Sequence, residues 1–162
     1  MTRRGGPRLE IQFSASPARL GDLRRAVRSG LTGRVRDEDL DDLVLALNEA
    51  ATNAVLHGSG GGHAVEVSVR VSEGWAEMTV LDRGRVQRPS RAWDDEEHSE
   101  LGAAPASGRG LWLMGRLVDE VRLERMHPHG TRVTLRRRVG LPTGHPGHAT
   151  GPAAGRRSAD GT

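Results

Sequence analysis

Apolar residues recur along this chain in two periods, and the switches between them mark out its elements. Residues 9–14 (LEIQFS) alternate apolar and polar, the period-2 signature of a short half-buried strand. After Ser16-Pro17, which reads as a helix entry, Leu20, Leu23, Val27 and Leu31 fall at spacings of three and four. They predict a helix over 18–31, loosened at its end by Gly30 and Gly33. The stretch 40–57 (LDDLVLALNEAATNAVLH) repeats the helical period through Leu40, Leu43, Val44, Leu47, Ala51, Ala54 and Val55. Asp37 is expected to cap this second helix, with Glu38 and Asp39 in the first turn, where acids suit the helix dipole.

Alternation then resumes. In 64–72 (AVEVSVRVS) Val65, Val67, Val69 and Val71 share one face, Glu73-Gly74 turns the chain, and 75–82 (WAEMTVLD) returns as the second arm of a hairpin. Ala76, Met78 and Val80 share a face there, and Asp82 falls in phase with them. A carboxylate at the end of a core-facing row is costly without a partner. Residues 83–107 show no period and read as a long irregular segment. A glycine-rich turn then opens a helix within 107–121, followed by strands at 121–126 and 131–139, with a turn at 127–130 between them. Thr131 is in phase with Val133 and Leu135, so its hydroxyl points to the core side. The element pattern predicts a two-layer α/β sandwich, a mixed, mainly antiparallel sheet with helices on one face. Residues 1–8 and 140–162 are expected to be disordered tails around one domain at 9–139.

Composition narrows the function. The chain has 162 residues, enough for one real core, and no cysteine, so neither a disulfide framework nor thiolate chemistry is available. It contains no long apolar run and no apolar signal core at the N-terminus, which predicts a cytoplasmic protein with no membrane span. All 24 basic residues are Arg; without Lys there is no Walker-type phosphate loop and no lysine Schiff base. The net charge of +3 lies in the tails, where five arginines face one aspartate; the body is close to neutral. With aromatic residues at 2%, no nucleic-acid surface is expected.

On the second helix Glu49, Asn53 and His57 recur every four residues, opposite the apolar stripe. Taken alone, such a Glu is a solvated residue and His57-Gly58 an ordinary helix end. Asn53 is less comfortable, since Asn in a helix interior is worse than Ala by about 0.5 kcal/mol. Other parts of the chain give that face a use if the ligand is a nucleoside triphosphate. The helix opening at Gly108 and Gly110 offers backbone N–H groups to phosphates. The inward Asp82, followed by Gly84, can accept from an exocyclic amine, supported by the Thr131 hydroxyl. The Asn53 oxygen suits Mg2+, and the Glu49 carboxylate can take a proton.

At these residues the chain resembles the GHKL ATP-binding superfamily and, more narrowly, the bacterial anti-sigma regulatory factors of the serine-protein-kinase branch. An E-x-x-x-N-A-x-x-H box is matched by Glu49, Asn53, Ala54 and His57. The aspartate-glycine box is matched by Asp82 and Gly84, the second glycine box by residues 107–114, and a closing G-T by Gly130-Thr131. The resemblance covers roughly residues 9–139. It departs at Val86, where a second glycine is common, and at Ala106, where some members carry an arginine.

The resemblance implies a Bergerat-type ATP-binding fold, ATP and Mg2+ as cofactors, and an ATP lid at about residues 88–106. It implies Asp82 and Gly84 at adenine with Thr131 nearby, and Asn53 as the metal ligand. Gly108, Arg109, Gly110 and Leu111 would lie at the phosphates, with Glu49 as general base. It further implies a protein serine/threonine kinase that sequesters a sigma factor and phosphorylates an anti-anti-sigma (STAS-type) partner, as a homodimer. The competing expectation is a nucleotide-binding module that acts by occlusion without useful catalysis.

Overall fold

The computed structural model describes residues 8–58, 63–84, 109–126 and 128–142. The expected lid, Gly108 and most of both expected tails lie outside these residues. Strand β1 (Arg8–Ser14) is followed by a 3-10 turn (Pro17–Arg19) and helix α1 (Leu20–Leu31). Helix α2 (Asp37–Asn53) runs directly into a π-helical turn (Ala54–Gly58). Strands β2 (Ala64–Ser72) and β3 (Trp75–Asp82) form the hairpin, and helix α3 (Arg109–Leu117) precedes β4 (Glu120–Arg125) and β5 (Thr131–Arg138).

The sheet order is β1-β2-β3-β5-β4, and every pairing among the described strands is antiparallel. Period-2 alternation decides which face is buried. Val65, Val67 and Val69 of β2 lie across from Asp82, Val80 and Met78 of β3, and Met78 and Val80 lie across from Leu135 and Val133 of β5. All of these are buried. Their inner face packs against the helices, while Ser68, Arg70, Glu77, Thr79, Arg132 and Thr134 line an open polar groove on the outer face.

Leu23, Val27 and Leu31 of α1 and Leu40, Leu43, Val44, Leu47 and Ala51 of α2 are buried, as their spacing predicts. Ala46 and Ala50 are buried as well, so the packed surface of α2 is wider than one stripe. Each fully buried Leu contributes roughly 2 kcal/mol from the area removed from water.

The N-terminus of α2 differs from expectation. Arg36, in an extended conformation, is the N-cap, and Asp37 is the first helical residue with no capping bond from a side chain. The reason is the first helical bond, from the Leu40 N–H to the Arg36 carbonyl at 2.9 Å. Asp39 lies in the first turn as expected, and it is buried at 2% exposure. The body also exceeds its expected limits at both ends: Arg8 is in β1, and the Gly140 N–H donates to Asp39 Oδ2 at 2.9 Å.

Candidate functional site

Two groups of predicted residues come together on the helix-covered side of the sheet. The first joins α2 to the start of α3. A Cβ built on Gly110 would lie 3.3 Å from Asn53 Nδ2, 3.3 Å from Glu49 Oε2 and 3.5 Å from Asn53 Oδ1. The N-terminal turn of α3, whose first N–H groups have no partner within the helix, therefore sits against the carboxylate and the amide. Glu49 and Asn53 are half-buried, Gly110 and Leu111 are half-buried, and Arg109 is exposed. Leu111 also packs on the core, which fixes the start of α3.

The second group lies at the end of β3. Asp82 is 2% exposed, and its Oδ1 accepts the Gly84 N–H at 2.8 Å, closing a tight turn around a buried carboxylate. Thr131 is its register partner on β5. Gly130, with φ of 110°, presses on the same spot: a Cβ there would be 2.1 Å from the Asp82 carbonyl oxygen. Only glycine tolerates both that φ and that approach. The π turn that continues α2 beyond Asn53 packs against β3, which ties the two groups together. His57 is exposed at the end of this turn.

Chemically, the arrangement offers one buried acceptor, a helix N-terminus, an amide oxygen and an accessible carboxylate. Among the described residues no cluster of three or more His, Asp or Glu could hold a metal ion by itself. A cation here would share Asn53 with oxygens of a bound ligand. The close approach at Gly110 leaves less than the ordinary contact distance for a side chain there and sets the start of α3 directly against Glu49 and Asn53.

Sequence reasoning missed a second polar centre at the other end of α2. Asp39 accepts from Arg36 Nε at 3.1 Å, from Arg137 Nε and Nη2 at 3.3 and 3.2 Å, and from Gly140 N–H. Burial pushes its pKa up, but the Gly140 N–H, then Arg137, then Arg36 outweigh it and hold the carboxyl below its ordinary value. One signal was available: Arg137 continues the inward row Thr131, Val133, Leu135, as Asp82 continues its own.

Comparison with known proteins shows the family. Residues 13–137 match the family model of the histidine kinase-like ATPase domain. The serine-protein kinase RsbW of Bacillus velezensis is 34% identical over 130 residues, 72% of this chain and 77% of the relative. That of Bacillus subtilis is 33% identical over the same shares. The anti-sigma F factor of Clostridium acetobutylicum is 24% identical over 106 residues, 64% of this chain and 73% of the relative. A crystal structure of the RsbU and RsbW domains of a Mycobacterium tuberculosis protein superposes with a TM-score of 0.61 at 25% identity, covering 82% of this chain and 32% of that longer one. The chain belongs to the histidine kinase-like ATPase domain family, alongside the serine-protein kinase RsbW relatives.

Proposed function

We propose that this protein is an ATP-dependent protein serine/threonine kinase and anti-sigma factor of the cytoplasm. It sequesters a sigma factor and phosphorylates a STAS-type anti-anti-sigma antagonist, working as a homodimer. The observation that supports this reading is the approach of Gly110 to both Glu49 and Asn53, which sets a helix start beside a carboxylate and an amide oxygen.

Bound ATP with Mg2+ supplies the transferable phosphoryl group and the neutralising charge. Asp82 accepts from the adenine amine, with Gly84 and Thr131 beside it. The N–H groups of Arg109, Gly110 and Leu111, together with Gly108, receive the phosphates. Asn53 gives its oxygen to Mg2+. Glu49 takes up the proton that a protein Ser or Thr hydroxyl must lose. These roles need the arrangement to be in place before reaction, because positioning and charge stabilisation supply most of the rate in phosphoryl transfer.

The test is incubation with labelled ATP, Mg2+ and candidate anti-anti-sigma proteins, comparing wild type with Glu49→Ala. Transfer by wild type that falls at least about a hundredfold in the variant, with ATP binding kept, is the expected result. Tight ATP binding without transfer to any cognate partner would instead make the protein an occluding module. Sedimentation velocity tests the dimer.

A further inference from the structure

The site is assembled from α2 and α3, and their relative placement is set at both ends. At the site end Gly110 lies against Glu49 and Asn53. At the other end Arg137 reaches both helices. Its Nη1 donates to the Leu117 carbonyl, the last residue of α3. Its Nε and Nη2 donate to Asp39, and Nη2 pairs with Asp42 Oδ2 at 2.8 Å. Both acids belong to the first turns of α2. The helices are therefore antiparallel, and the guanidinium joins the C-terminus of one to the N-terminus of the other.

Arg137 has the physical means to do this. It follows Leu135 on the inner face of β5, opposite Ala76, so its stem lies between sheet and helices. Its side chain is 21% exposed, and the Asp39 side chain is 3% exposed. A planar fork with five donors can serve one carbonyl and two carboxylates at once; an ammonium on a flexible stem cannot hold that geometry. A cation also suits the C-terminal end of α3 and the acids suit the N-terminal end of α2. Other bonds hold the exit of α3: Asp119 N–H to the Arg136 carbonyl at 2.9 Å and Arg138 N–H to Asp119 Oδ2 at 2.6 Å. They tie that exit to β5 and do not reach α2.

We propose that Arg137 is a positioning residue for the phosphate half of the site. By bolting α2 to α3 it sets the separation of Asn53 and Glu49 from the α3 N-terminus, although the acids it holds lie roughly 10–20 Å away along α2 at ~1.5 Å per residue. Asp82 and Thr131 stand on the sheet, outside the α2–α3 pair. Loss of the bolt therefore separates phosphate binding from adenine binding. The proposal rests on the functional reading above.

The experiment measures binding of Mg2+·ATP and of adenosine by calorimetry, with melting temperature, for wild type, Arg137→Met and Arg137→Lys. Lys keeps a positive charge beside Asp39, so it decides the question should Met fail to fold. The expected result is a loss of about tenfold in Mg2+·ATP affinity, with adenosine affinity within about twofold of wild type. Phosphotransfer falls further, toward about a hundredfold, as misplacement far from the chemistry does. A folded Arg137→Lys with wild-type ATP affinity overturns the proposal, and so does an equal loss for ATP and adenosine. A wild type that binds no Mg2+·ATP overturns the functional reading instead.

Discussion

Gly110 and Asn53 stand so close that a methyl group on the glycine would lie 3.3 Å from the amide nitrogen and 3.5 Å from the amide oxygen. Two segments more than fifty residues apart in sequence meet here with no room for a side chain. In Gly110→Ala the neighbours must give by a few tenths of an ångström. Helix propensity favours Ala by about 1 kcal/mol, so the fold is kept and melting shifts little. The methyl group occupies the phosphate approach, and Mg2+·ATP affinity falls by about tenfold or more. Calorimetry beside a melting curve checks this; a fully stable variant with unchanged affinity would refute the placement of the phosphates.

Gly130→Ala behaves in the opposite way. Its Cβ would meet the Asp82 carbonyl oxygen at 2.1 Å and the Arg83 Cα at 3.0 Å, both backbone atoms that cannot swing aside. The positive φ adds strain of its own. A loss of about 3 kcal/mol or more is expected, as a shifted urea midpoint, with ATP binding lost along with the β3–β5 end. An unchanged midpoint would mean that the two strands are not in contact as described.

Asp82→Asn separates charge from shape. The amide oxygen can still accept the Gly84 N–H, so the turn around residue 84 survives. The new NH2 group faces an amine where the carboxylate faced it, and ATP affinity is expected to drop at least about tenfold, the size of one charge-assisted bond. Equal ATP affinity in a well-folded variant would remove Asp82 from the adenine site.

Asp39 predicts a pH dependence of stability. Its folded pKa lies below the ordinary value of 3.8, so the unfolded state binds its proton more readily. The stabilisation is full above the unfolded value and is lost as pH falls through the folded one. Asp39→Ala is expected to cost about 3 kcal/mol at pH 7, because Arg137 and Arg36 lose the carboxylate between them. The gap between wild type and variant narrows below about pH 4. Denaturation curves at pH 7, 5 and 3 test it, and a gap that does not change with pH removes Asp39 as the titrating group.

The strands, the amphipathic helices and most residues of the first candidate group were legible in the sequence. Those features are local: period 2 or 3.6 decides which side of an element is apolar, and a polar residue out of place, such as Asn53 or Asp82, shows against that period. The resemblance in the boxes then implied a ligand for those residues.

Other features were decided only by the tertiary structure. An acid in a first helical turn has the same sequence signature whether water or an arginine faces it. Asp39 became buried because β5 brings Arg137, 98 residues away, and the chain beyond it brings Gly140, 101 residues away. The cap moved to Arg36, and the helix end beyond Asn53 became a π turn against β3, through contacts that no local period encodes. The spacing of Gly110 from Glu49 and Asn53 is of the same kind, since it depends on how α3 packs antiparallel on α2. Local periodicity specifies which face each element buries, whereas long-range packing sets how far apart the chemical groups on those elements stand.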